Sequence, residues 1–131
     1  MKTEPETYGW SDLEQKGEDK WDGVRNYQAR NFMQEMQVGD QAFFYHSGKA
    51  RAIVGVATIS KSAYPDPTTA DDRWVCVEVK PDYLLKQPVT LDQIKNEPQL
   101  SSMLLLRNSR LSVQPVTDEQ FHQILKMSQN V

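Results

Sequence analysis

Phe43-Phe44-Tyr45-His46-Ser47-Gly48-Lys49, followed after three residues by Ile53-Val54-Gly55-Val56-Ala57-Thr58-Ile59, is the stretch on which the fold turns. Aromatic and β-branched residues fill both runs, and such residues suit a pleated, half-buried surface. The Ser47-Gly48-Lys49 break between them reads as a hairpin turn. Downstream, the stretch from Trp74 to Val79 alternates: Val75, Val77 and Val79 on one face, Cys76 and Glu78 on the other. That predicts a third strand. Tyr64-Pro65-Asp66-Pro67-Thr68 between them reads as a loop, because proline lacks the amide that an interior strand requires. Leu111 to Val113 reads as a last strand before Pro115, and Met1 to Thr3 as a strand stub closed by Pro5.

Around these strands lie short helices with recognisable ends. Ser11-Asp12-Leu13-Glu14, Thr90-Leu91-Asp92-Gln93 and Thr117-Asp118-Glu119-Gln120 have capping-box spacing, in which each end satisfies the other's orphan backbone amide. Gly17 ends the first of these helices. Asn26 is placed to cap another, running from Gln28 to about Met36. In the last helix Phe121, Ile124 and Leu125 share a face, so it is expected to seal the core. Strands and helices are interspersed without regular alternation. The pattern predicts an α+β fold, a curved mixed sheet or small barrel flanked by short helices, and disfavours a doubly wound parallel sheet. No repeat, low-complexity tract or long linker divides the chain, and residues 1–131 are expected to form one domain.

Composition narrows the class. Apolar residues make up 38% and charged residues 25%, a balance that favours a globular chain over disorder. No apolar run approaches the ~18 residues of a membrane span, and no basic start with an apolar segment announces a leader. The single cysteine, Cys76, permits no internal disulfide, which predicts a reducing, cytoplasmic location and a buried structural thiol. Net charge is −3, so nucleic acid is not coated by bulk charge. Acids crowd residues 1–22, whereas Arg25, Arg30, Lys49 and Arg51 dominate residues 23–51, leaving room for a local anion-facing patch.

Several chemistries fall away. Two histidines and one cysteine without paired spacing do not make a structural zinc site, and no metal or other cofactor is expected. No glycine-rich phosphate cradle occurs. His46 and Ser47 are neighbours on a strand and point to opposite faces, so they do not form a base–nucleophile pair. The dense segment is Trp21-Asp22-Gly23-Val24-Arg25-Asn26-Tyr27-Gln28-Ala29-Arg30-Asn31. Aromatic faces there can stack on a base, amides can meet its edge, and guanidinium groups can meet phosphate. Each residue also has a plain structural role open to it: Trp21 in the core, Asn26 as a cap, Arg30 on an exposed helix face.

Met1-Lys2-Thr3-Glu4-Pro5 with Trp10-Ser11-Asp12-Leu13, the 21–31 segment, Phe43-Phe44-Tyr45-His46-Ser47, Ala63-Tyr64-Pro65-Asp66-Pro67-Thr68 and Leu105-Leu106-Arg107-Asn108-Ser109-Arg110-Leu111-Ser112-Val113-Gln114-Pro115-Val116 together resemble the EVE family. The resemblance spans nearly the whole chain. Against the family pattern, the first strand looks short and the loop between Thr68 and Trp74 is brief. The resemblance implies a PUA-like fold related to YTH readers of methylated adenine. It also implies non-catalytic binding of a modified base, modified cytosine such as 5-methylcytosine, in DNA in preference to RNA. Under that reading a base leaves its stack and enters a pocket. Trp21 and Tyr27 are the candidate walls, Asn26 and Gln28 the contacts to the base edge, and the backbone around Ala29 assists. Arg30, His46 and Ser47 would line the rim or floor. Arg25, Arg107 and Arg110, with Arg30, are the candidates for phosphate contact. The rival readings are a binding module for a nucleoside-like metabolite or peptide, and an enzyme acting on a modified nucleotide with His46 the first residue to test.

Overall fold

A computed structural model describes residues 1–108 and 111–130 of the chain. Five strands, β1 (Lys2–Thr3), β2 (Asp19–Trp21), β3 (Gln41–His46), β4 (Ala52–Pro65) and β5 (Val75–Thr90), form one open mixed sheet in the order β1-β3-β4-β5-β2. The β3–β4 and β4–β5 pairings are antiparallel, as is β2 along β5, while β1 lies parallel to β3. The helices are α1 (Trp10–Lys16), α2 (Tyr27–Glu35), α3 (Leu91–Lys95), α4 (Leu104–Arg107) and α5 (Asp118–Met127), with a 3-10 turn at Pro98–Leu100. The α+β mixed sheet with short helices is therefore the observed architecture.

Alternation along the strands sorts side chains onto two faces, and each face has its own core. On one, Trp10 and Leu13 of α1 and Ala29 and Met33 of α2 pack with Phe44, Ala57, Ile59 and the Val75, Val77, Val79 row. On the other, Phe43, Tyr45, Ile53 and Val56 meet Ile94, Leu100, Leu105 and Ile124. The stacked rings of Phe43 and Phe121, 4.2 Å between centroids, fasten α5 to that face. Cys76 is fully buried, and burial pushes its thiol pKa up.

Four expectations are corrected. Tyr64 and Pro65 belong to β4, not to a loop; Pro65 is the last residue of its strand, paired with Val75, where a missing amide does least harm. β5 runs on to Thr90 through Pro81 and Pro88, well past Val79, and irregular registers along β4 absorb the disturbance. Leu111 and Val113 are buried but form no strand; the Lys2 amide donates to the Ser112 carbonyl there. The first helix starts at Trp10 instead of Asp12, because the Asp12 carboxylate accepts from the Gly9 amide and Gly9 becomes the cap. The other two capping boxes form as read, with Thr90 accepting from the Gln93 amide and Thr117 from the Gln120 amide.

Candidate nucleic-acid interface

Asn26 caps α2: its Oδ1 accepts from the Ala29 amide at 2.9 Å. This sets the first turn of α2 so that Tyr27 and Gln28 face solvent while Ala29 is buried beneath it. Tyr27 keeps 51% of its surface exposed, unusual for a ring this large. Its ring centroid lies 5.0 Å from that of Trp74, the residue just before β5. Arg30 sits over the Tyr27 ring at 4.9 Å and Arg25 over the Trp74 ring at 5.7 Å. Arg73 donates from Nη1 to the Tyr27 hydroxyl at 3.1 Å. The result is a layered cluster of two aromatic rings and three guanidinium groups at the N-terminal end of α2.

Behind this cluster two loops are locked together. Asp66 is 2% exposed and accepts from the Gly23 amide, the Arg25 guanidinium, and the Thr68 amide and hydroxyl. Burial alone pushes its carboxyl pKa up, but those hydrogen bonds outweigh burial and hold it at about 2. Gly23 reaches the carboxylate with φ at 74°, a left-handed conformation that favours glycine. The Asp66 amide donates to the Trp74 carbonyl, closing the 66–74 loop at its base. Arg25 is thus tied into a structural ion pair, and Arg30 donates to Asn31 and to the Arg73 carbonyl. Acids offset much of the local positive charge: Asp66 pairs with Arg25, Asp71 with Arg73, and Asp22 and Asp72 are exposed nearby in sequence.

Other predicted residues lie in a second group. The Trp21 ring packs edge-on against Phe44, at 5.6 Å, as do Trp10 at 5.4 Å and His46 at 5.7 Å. His46 Nε2 accepts from the Trp10 amide at 3.1 Å, which requires a neutral imidazole protonated on Nδ1. Burial lowers the pKa of His46, in keeping with that role. Ser47 donates its amide to the Thr3 carbonyl, joining β3 to β1. Arg107 is exposed at the end of α4. Arg110 lies outside the described residues.

Asp66, Thr68, Arg73 and Trp74 escaped the sequence reading. Their signal was faint: Asp66-Pro67-Thr68 has the side-chain-to-backbone turn chemistry of aspartate, but nothing local links it to Gly23 or Arg25. A cavity of about 450 Å³ lies elsewhere, beside β3, between Phe32 of α2, the Met36 cap that follows it and Phe121 of α5. It holds none of the predicted residues. Among the described residues no cluster of three or more His, Cys, Asp or Glu side chains is placed to hold a metal, and no helix is long and apolar enough to cross a membrane.

The EVE domain model matches residues 1–127. The chain belongs to the EVE family. Mouse thymocyte nuclear protein 1 is 41% identical over 132 residues, covering 83% of this EVE chain and 58% of the mouse protein. The chain thus spans a little over half the length of that relative. A Rhodopseudomonas palustris protein solved by NMR superposes with a TM-score of 0.95 at 47% identity, covering 100% of this chain and 92% of the other. The human THYN1 protein, crystallised in complex with 5-methylcytosine-containing DNA, superposes with a TM-score of 0.90 at 34% identity, covering 98% and 95% of the two chains. The mouse and human relatives are named as nuclear proteins, which corrects the cytoplasmic expectation. A lone cysteine cannot close an internal disulfide in any compartment, so it does not tell nucleus from cytosol.

Proposed function

We propose that this EVE domain binds DNA carrying a modified cytosine, 5-methylcytosine in the first instance, and performs no chemistry on it. One observation carries the reading: the human neighbour, alike over nearly the whole chain, is a complex with 5-methylcytosine-containing DNA. The solvent-facing first turn of α2 supports it. Tyr27 offers an exposed ring, Gln28 an exposed amide, and Asn26 retains the NH2 arm of its side chain after capping through Oδ1. Arg30 and the exposed part of Arg25 flank them and supply phosphate contacts, with Arg107 a further candidate. Trp21, His46 and Ser47 support the floor through their packing and backbone bonds. We read residues 1–131 as acting together in this as one domain.

Fluorescence-anisotropy titration with matched oligonucleotides carrying cytosine or 5-methylcytosine tests this. One methyl group in an apolar wall is worth about 1–3 kcal/mol, so the modified strand should bind about ten-fold or more tighter. Gln28→Ala, which removes no cap, should weaken binding while leaving the thermal midpoint in place. Equal affinity for both oligonucleotides sinks the reading.

A further inference from the structure

Tyr27 and Trp74 come from segments 47 positions apart in the chain, yet their rings meet at 5.0 Å with planes tilted by 34°. Fastening α2 to the β4–β5 connection would be served best by burying both rings. Tyr27 is instead half exposed, and its neighbours in sequence, Asn26 and Gln28, are exposed as well. Arg25, over the Trp74 ring, is tied to buried Asp66, whereas the other groups around the pair sit in exposed bonds. The Arg30 guanidinium over Tyr27 is anchored to Asn31 and the Arg73 carbonyl by exposed bonds. The Arg73–Asp71 pair beside it is exposed as well, and exposed pairs of this kind contribute little.

The spacing has a direct geometric meaning. Aromatic planes in contact are about 3.5 Å apart, so a base held between two rings needs about 7 Å from one to the other. At 5.0 Å the two rings occupy each other's place in such a sandwich. Their supports differ. Tyr27 rides on a helix fixed by the Asn26 cap and the buried Ala29 and Met33, whereas Trp74 ends an exposed loop, closed at its base by the Asp66–Trp74 backbone bond. No residue from 67 to 74 is buried, so a turn of the Trp74 ring, not a shift of α2, is the motion that binding requires.

We propose that Trp74 is the second aromatic wall of the base site: the flipped pyrimidine parts Trp74 from Tyr27 and stacks between them. This rests on the base-binding reading above and assigns a residue to it that lies outside the 21–31 segment. The aromatic pair in the free protein is then a stand-in for the ligand, which keeps the site shaped until a base replaces the ring contact.

The test uses the full chain labelled with 5-fluorotryptophan, whose three fluorine signals are assigned through Trp10→Phe, Trp21→Phe and Trp74→Phe. Adding the 5-methylcytosine oligonucleotide should shift the Trp74 signal by more than those of Trp10 and Trp21. In anisotropy, Trp74→Ala should bind ten-fold or more weakly and Trp74→Phe should recover part of the loss, as expected for a stacking contact. If the wild-type protein binds the oligonucleotide while the Trp74 signal stays still, or Trp74→Ala binds as well as wild type, the inference fails and the base-binding reading stands. If the wild-type protein does not bind, both fail together. Should Trp74→Ala prove unfolded, the fluorine shift in the wild-type protein decides alone.

Discussion

Arg25 Nη1 donates to Asp66 Oδ2 at 3.0 Å, joining the turn after β2 to the loop after β4 across 41 positions of sequence. The Asp66 side chain is wholly shielded from solvent, whereas 39% of the Arg25 side chain remains exposed. A carboxylate so shielded is tolerable only because each oxygen has partners: Gly23 and Arg25 on one, the amide and hydroxyl of Thr68 on the other.

Asp66→Ala strands the Gly23 amide and the Arg25 guanidinium together. Removing one partner of a buried pair costs about 3–5 kcal/mol, and the exposed side of Arg25 places the expectation at the lower end, about 3 kcal/mol. Urea unfolding measures it. A midpoint equal to wild type means that the latch is open in solution.

Two groups set separate acid windows. The folded pKa of Asp66, about 2, lies below its ordinary 3.8, so the unfolded chain takes up the proton first. Its stabilisation is complete above pH 3.8 and is lost as pH falls towards 2. Burial likewise sets His46 below its ordinary 6.5, so its contribution is present above that pH and fades as pH drops beneath it. Urea midpoints between pH 7.5 and 5 should fall in the wild-type protein and change less in His46→Gln, which keeps an acceptor without the titration.

Gly55 is a point of close approach, not of unusual backbone geometry. A Cβ there would lie 2.6 Å from Cζ3 of the Trp10 ring. Gly55→Ala should therefore destabilise by about 1–3 kcal/mol, or more if α1 is pushed from the sheet. Pairing it with Trp10→Leu should give a loss smaller than the sum of the two single losses. Additive losses would mean that the ring and the glycine are not in contact.

Local chemistry made part of this legible. The Thr90 and Thr117 boxes and the Asn26 cap each bring donor and acceptor together within four residues, and all three form. β5 was half hidden because Pro81 and Pro88 forbid a regular ladder, and only the partner strand reveals the irregular registers that admit them. Gly9 displaced Ser11 as the first cap because Asp12 answers the Gly9 amide, and the Trp10 amide this frees finds His46, 36 positions away. The 21–31 segment announced its chemistry, but Asp66, Arg73 and Trp74 join it only through the sheet.

The order β1-β3-β4-β5-β2 sets a hierarchy in time as well as space. The three central strands follow one another in the chain, whereas β1 must find β3 some 43 residues on and β2 must find β5 some 58 on. Long closures form late, and short edge strands open early. Amide hydrogen exchange should be slowest at Val56, Ala57, Val77 and Val79 and fastest along Lys2–Thr3 and Asp19–Trp21. The segment that follows β2 carries Asn26 and Tyr27, so it hangs from the least durable edge of the sheet. Anything that grips it should slow exchange along β2 as well, a protection measurable some distance from the contact itself.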